Sequence, residues 1–102
     1  MKIRPLQGEA LLYMEGVATE NDSGIVLVES DPETMSPESV AFGEVRAIGT
    51  WELDNAGRMK PHPVRLGDRV LINSGSGRWL RSRKERLKIV RTNAILAIHQ
   101  KD

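Results

Sequence analysis

Glycine and proline interrupt this sequence too often for long helices. Nine glycines and five prolines are spread over 102 residues, and both residue types tend to end regular elements. The intervals between them hold short runs of β-branched and aliphatic residues, which are typical of strands. The candidate strands are residues 10–14, 25–28, 40–48, 68–72, 87–91 and 95–98. Their spacing predicts an all-β fold, in the form of a small irregular β-barrel.

One segment leaves an alternative open. Residues 79–90 are rich in good helix formers, and Leu80, Arg83, Lys84 and Leu87 follow helical spacing. A short helix there competes with the strand predicted at 87–91.

The length fits one domain spanning residues 1–102. The absence of cysteine excludes disulfides, thiolate zinc sites and a cysteine nucleophile, and it suits a reducing compartment. No run approaches the roughly 18 apolar residues that span a bilayer. We therefore expect a cytoplasmic protein with no membrane partner.

Two segments are long excursions from the strands: residues 16–39 and residues 49–63. Loops of such length in a small domain usually carry function. The first is acidic but contains an apolar run, Gly24-Ile25-Val26-Leu27-Val28. This run either forms a buried strand or stays exposed for a partner's groove. The second has a hairpin tip at Asp54-Asn55-Ala56-Gly57.

Charge is distributed unevenly along the chain. Residues 7–45 contain nine acids and no lysine or arginine, whereas residues 78–91 are strongly basic. Such asymmetry can bring the acidic surface of one copy to the basic surface of a neighbour. Together with Trp79, the basic 78–91 segment also supports an alternative function, a small β-barrel that binds single-stranded nucleic acid.

The sequence gives no support for an enzyme. Its two histidines, His62 and His99, have no neighbours at metal-ligand spacing, so we expect surface side chains and no metal or catalytic residue. Gly75-Ser76-Gly77 lacks the third glycine and the helix of a dinucleotide-binding loop, and we interpret it as a turn.

Several short motifs follow one another in a telling order. They are Met1-Lys2-Ile3-Arg4-Pro5-Leu6, Gly24-Ile25-Val26-Leu27, Gly43-Glu44-Val45, Ile48-Gly49, Lys60-Pro61, then Val64, Gly67-Asp68 and Val70, and finally Ile95-Leu96-Ala97-Ile98. In order and spacing this series resembles the GroES-type co-chaperonins, the chaperonin-10 family, over essentially the whole chain.

The resemblance implies a β-barrel subunit of a seven-membered ring that acts as a lid on a GroEL-type chaperonin. Residues 16–39 would be a mobile loop, disordered when free, that docks Gly24–Val28 in the chaperonin's apical domains in a nucleotide-dependent manner. Residues 49–63, with Asp54, Asn55, Ala56 and Gly57, would be the roof hairpin. The subunit interface would join Ile3 and Leu6 to the Ile95, Leu96 and Ile98 of a neighbour.

The same resemblance implies no cofactor on this chain, since ATP is bound and hydrolysed by the chaperonin, which closes its cage around non-native proteins. Nucleic acid is not an expected partner under this interpretation. Gln7-Gly8-Glu9 and Ser23 depart from the family pattern. Departures of this kind are expected of a phage-encoded or second-copy bacterial member, acting in the bacterial cytoplasm or in that of an infected host.

Overall fold

The computed structural model describes residues 2–22, 24–28, 39–80 and 83–100. The fold is all-β, as predicted. The strands are β1 (Glu9–Asn21), β2 (Gly24–Val28), β3 (Val40–Ile48), β4 (Arg69–Asn73), β5 (Arg78–Trp79), β6 (Leu87–Arg91) and β7 (Ala97–Ile98). Two short 3-10 turns, Arg83–Glu85 and Thr92–Ala94, flank β6.

The strands form one open antiparallel sheet. Its order is β5-β6-β1-β3-β4-β7, and β2 pairs with the far end of β1. The first half of β1, from Glu9 to Tyr13, is therefore central and lies between β6 and β3. The far half of β1 leaves this central position and pairs with β2 from Val17 onward.

Alternation along the strands builds the core. In β1 the side chains of Ala10, Leu12 and Met14 are fully buried, and in β6 those of Lys88 and Val90 are buried. Successive strand residues point to opposite faces, so this period of two selects one face for burial. The core cluster is completed by Ala41, Val45, Val64, Val70 and Ile72, with Ile48, Trp79 and Ile95 packed against it.

All six predicted strands are present, with shifted ends in β1, β2, β4 and β7. The two-residue strand β5 was not predicted, because so short a run carries no periodic signal. The helix alternative at residues 79–90 is wrong. The described residues of that segment, 79–80 and 83–90, contain the end of β5, a 3-10 turn and most of β6. Burial of Lys88 and Val90 at alternate positions outweighs the helix propensity of the side chains there.

Gly49 has a structural role that explains its place between β3 and the segment that follows. A Cβ atom at this position would overlap the backbone carbonyl of Leu6. The N-terminal segment can therefore pass against the end of β3 only because residue 49 has no side chain.

Within the described parts of the chain, no helix is long and apolar enough to cross a bilayer.

Candidate functional site

The apolar run lies in a two-stranded hairpin, which we call the arm (residues 17–22 and 24–28). The ladder pairs Val17 with Val28 and continues to Asn21 opposite Gly24. Gly24 has φ +116°, a backbone conformation that L side chains rarely adopt. This glycine lets the chain reverse and start β2.

The arm displays apolar side chains to solvent. Ile25 is 46% exposed and Val28 is 47% exposed, while Val26 and Leu27 are half-buried. Because neighbouring strand residues point to opposite faces, the four aliphatics occupy both faces of the ribbon. A two-stranded ribbon has no second layer to cover either face, so part of this apolar surface stays open.

The sequence left two alternatives for this run, a buried strand or an exposed segment. The structure combines them, since Gly24–Val28 is a strand but is not buried. Within the range 16–39, residues 16–21 and 24–28 are β-structure. Ser23 and residues 29–38 lie outside the described residues, and the mobility of this range stays a prediction.

The base of the arm is held by charged side chains. Glu15 is an extra residue in β1 relative to β3, a β-bulge between Met14 and Gly16. Its Oε1 accepts a hydrogen bond from Nε of Arg69, 3.1 Å away, at the start of β4. From the other side, the guanidinium of Arg86 donates to the backbone carbonyls of Met14 and Glu15.

Sequence reasoning missed this cluster. It treated Arg86 as one member of a basic run, because the contact joins residues about seventy positions apart in the chain and leaves no local pattern. The backbone φ of Arg86 is positive, at 62°, and such a conformation at a residue other than glycine has no sequence signature either.

The second excursion contains a short hairpin, which we call the roof segment (residues 49–63). Leu53 and Met59 form an isolated antiparallel bridge. At the turn, Oδ1 of Asp54 accepts hydrogen bonds from the backbone N–H groups of Ala56 and Arg58, both at 2.9 Å. Asn55 is exposed in the turn, and Gly57 closes it with φ +80°.

Ion pairs and apolar side chains lie on different faces of the roof segment. Glu52 pairs with Lys60 at 3.5 Å, and Asp54 pairs with Arg58 at 3.7 Å. Leu53 and Met59, at the alternate positions, are both largely exposed.

The expected subunit-interface residues occupy different environments. Leu6 is 75% exposed, Leu96 55% and Ile98 38%. Ile3 is half-buried, and Ile95 packs against the core of its own chain. β7 pairs with β4 through Ala97 and Ile98, and it ends the order of the sheet.

Trp79 does not offer the open ring that a nucleic-acid platform needs. The ring is half-buried against the core, and Nζ of Lys88 lies 4.4 Å from its centroid. The same ammonium donates to the backbone carbonyl of Ser74. Bases stack on free aromatic faces, so this geometry weakens the alternative drawn from the basic segment.

Both histidines are half-buried, contrary to the surface positions we expected. Nδ1 of His62 accepts the backbone N–H of Val64 at 3.3 Å, and its Nε2 lies 3.1 Å from Oγ1 of Thr92. The ring of His99 meets Phe42 edge to face at 5.4 Å. The roof segment folds back onto the 3-10 turn that starts at Thr92, which is why His62 is covered. In the described part of the chain, no three His, Cys, Asp or Glu side chains group at metal-binding distance.

Comparison with known proteins identifies the family. The family described as "Chaperonin 10 Kd subunit" matches residues 2–99. "Co-chaperonin GroES" of Polynucleobacter asymbioticus is 30% identical over 101 residues, 99% of this chain and 100% of that protein.

Two further relatives give the same result. "Co-chaperonin GroES" of Alcanivorax borkumensis is 35% identical over 96% of this chain and 97% of that protein. The Chlamydia muridarum protein of the same name is 34% identical, over 98% of this chain and 93% of that protein. The chain therefore belongs to the GroES-type co-chaperonins, the chaperonin-10 family.

Proposed function

We propose that this protein is a co-chaperonin that forms a ring-shaped lid, binds the apical domains of a GroEL-type chaperonin through the arm, and so closes the cage for assisted protein folding. The chain carries no cofactor and no catalytic residue in this role. The nucleotide belongs to the chaperonin, whose state decides whether the lid is bound.

The observation that carries the proposal is the exposed aliphatic surface of the arm. Ile25 and Val28 are about half exposed on a hairpin that pairs with the sheet only through β1. Strand pairing alone does not require aliphatic side chains at the solvent-facing positions of Ile25 and Val28. An apolar groove on a partner does explain them, because such grooves bind short extended or hairpin segments.

The magnitudes favour a weak contact for each arm. Fully burying an exposed aliphatic side chain yields about 1.5–3 kcal/mol, and each aliphatic of the arm yields less because it is already partly covered. Ordering each loop residue that is not already fixed costs about 1–2 kcal/mol. Several arms tethered in one ring bind together, so their combined affinity is high, and a modest change at each chaperonin site releases the whole lid.

The remaining parts of the chain have roles in the same proposal. The exposed Leu6 and the half-buried Ile3 of one subunit would meet the β7 edge of its neighbour, with Leu96, Ile98 and the partly buried Ile95. The outer edge of β7 offers backbone groups to which another strand can add. Seven such joints would close the ring, and the roof segments would line its top.

Substitution of Ile25 by aspartate tests the proposal. Because Ile25 is half exposed, Ile25→Asp should leave the fold and the assembly intact. The affinity for the chaperonin should fall by at least about a hundredfold, because the losses in several arms add up. The measurement is surface binding of a chaperonin double ring with adenine nucleotide present.

Thr19→Asp is the matched control. Thr19 is exposed on the β1 side of the same arm, where its backbone is paired with Val26. The Thr19→Asp substitution adds the same charge without removing an aliphatic side chain, so the affinity for the chaperonin should fall much less than in Ile25→Asp. Equal losses in the two variants would mean that charge, and not the aliphatic surface, governs the contact.

A further inference from the structure

The strand that carries the arm changes partners where it leaves the main sheet. β6 pairs with β1 as far as Tyr13, and β2 begins to pair at Val17. Val17 is also paired with Ala41 of β3, so β2 lies on the edge of β1 that β6 occupies further back. Residues 14–16 therefore have neither β6 nor β2 beside them on that edge.

Arg86, the residue just before β6, fills this gap. Its backbone carbonyl accepts a hydrogen bond from the N–H of Met14 at 2.8 Å. Its Nη1 atom donates to the carbonyl oxygens of Met14 and Glu15 at 3.2 and 3.0 Å. A single residue thus satisfies, with main chain and side chain together, the groups that the missing strand would have paired.

The backbone of Arg86 is unusual. Its φ is 62°, and it is the one residue other than glycine with positive φ in the described part of the chain. Glycine adopts this conformation without strain, whereas L side chains are disfavoured there. At this strained position a single atom, Nη1 of Arg86, reaches both carbonyls.

The bulge is also held from the opposite direction. The carboxylate of Glu15 pairs with Nε of Arg69 at 3.1 Å, and the guanidinium of Arg69 lies 4.2 Å from the ring centroid of the buried Phe42. Glu15 is therefore fixed through its carbonyl by Arg86 and through its side chain by β4.

We propose that Arg86 is a positioning residue, which sets the direction of the arm by clamping the β1 bulge at Met14 and Glu15. A bulge bends its strand and increases its twist, so the bulge determines where a ribbon attached through that one strand points. The inference rests on the proposed function only in its consequence, that a fixed direction increases the fraction of arms ready to bind. The apparent dissociation constant rises as that fraction falls.

Arg86→Gly tests the clamp. Glycine adopts the positive φ and keeps the carbonyl that accepts from Met14, and it removes the side chain that donates to Met14 and Glu15. The chain has no cysteine, so spin labels on Asp22→Cys in the arm and Asn93→Cys beside β6 report one distance. We expect this distance distribution to broaden at least twofold in Arg86→Gly, while the urea midpoint of unfolding stays close to that of the parent.

Arg65→Gly is the matched control. It removes an exposed arginine from the irregular segment before β4, outside any strand, and it should leave the distance distribution unchanged. A distribution in Arg86→Gly as narrow as in the parent overturns the inference. If Arg86→Gly does not fold, Arg86→Asn decides, because asparagine tolerates positive φ but is too short to replace the Nη1 bonds to Met14 and Glu15. An unbroadened distribution there overturns the inference equally.

Chaperonin binding kinetics give an independent readout. A loss of direction lowers the association rate of each arm by about 3–10-fold and leaves its dissociation rate unchanged, as expected when only the competent fraction falls. Faster dissociation with an unbroadened distance would make Arg86 a contact residue and contradict the clamp. Failure of the parent protein to bind any chaperonin would count against the proposed function alone, since the distance is measured without a chaperonin.

Discussion

Gly77 and Gly67 have nearly the same backbone conformation in different surroundings. Their φ angles are +78° and +86°, but a Cβ atom at Gly77 would overlap the backbone of Ile89, whereas one at Gly67 would meet nothing within 4 Å. Gly67→Ala should therefore cost only backbone strain, about 1–2 kcal/mol. Gly77→Ala should cost that strain plus the displacement of β6, about 2–5 kcal/mol in total.

Urea unfolding of both variants at one protein concentration separates the two terms. Equal losses of stability would show that the β6 backbone moves aside freely and that the close packing at Gly77 adds nothing to the free energy of unfolding. The fixed concentration matters because assembly adds to the apparent stability of each subunit.

At the scale of residues, sequence reasoning found the apolar positions and missed the polar contacts. Alternating aliphatics place Val70 and Ile72 inside from the pattern alone. The half-buried position of His62 and the clamp of Arg86 depend on residues that are distant in sequence, Thr92 and Met14. No local spacing encodes such pairs.

At the scale of elements, the arm and the segment 79–90 show what short patterns can decide. Local propensity favoured a helix at 79–90, and the structure instead places Lys88 and Val90 on the buried face of β6. The aliphatic run at 25–28 was found correctly as a strand candidate. The strand that pairs with it was not predicted, because Val17–Asn21 has two apolar residues followed by three polar ones and so shows no alternation.

The turn of the roof segment depends on one carboxylate. Oδ1 of Asp54 accepts from Ala56 and Arg58, and the backbone N–H of Lys60 donates to Glu52 at 2.7 Å across the hairpin. Asp54→Ala removes the acceptor, at a cost of about 1–2 kcal/mol. The amide hydrogen of Lys60 should then exchange about 5–30 times faster.

Hydrogen exchange of Lys60 checks this prediction, with Asn55→Ala, an exposed neighbour in the same turn, as the control. The urea midpoint should barely change, since the hairpin lies outside the core cluster. Unchanged exchange in Asp54→Ala would mean that the Asp54 carboxylate is not needed and that the Glu52–Lys60 ion pair and the backbone bonds hold the roof segment together.

At the scale of the whole molecule, the all-β class followed from glycine and proline spacing, and the family followed from motif order. The sequence did not predict that the sheet is open. The path from β5 to β7 does not close on itself, and short edge pairings such as β4 with β7, only two residues long, carry no signal that a sequence pattern could detect. The strands that were expected to form a small barrel are therefore present, and they form an open antiparallel sheet.

An open edge with exposed aliphatics predicts how assembly is lost. Leu96 is 55% exposed, and its backbone N–H is already bonded to Leu71 at 2.8 Å, so Leu96→Asp should leave the subunit folded. A buried unpaired charge at each joint should cost several kcal/mol of association free energy. We expect monomers where the parent protein forms rings.

Sedimentation velocity measures this directly. Leu53→Asp, on the roof segment, changes a side chain of similar exposure, 60%, away from the proposed joint and should still assemble. Rings of normal size from Leu96→Asp would place the joint elsewhere.

A lid differs from other small β proteins in binding its chaperonin only in one nucleotide state. We would therefore measure co-elution of the unmodified protein with a bacterial GroEL-type double ring, with and without adenine nucleotide. We expect co-elution only when nucleotide is present, and its loss in Ile25→Asp. A folded protein that elutes separately from the chaperonin under both conditions would contradict the lid function.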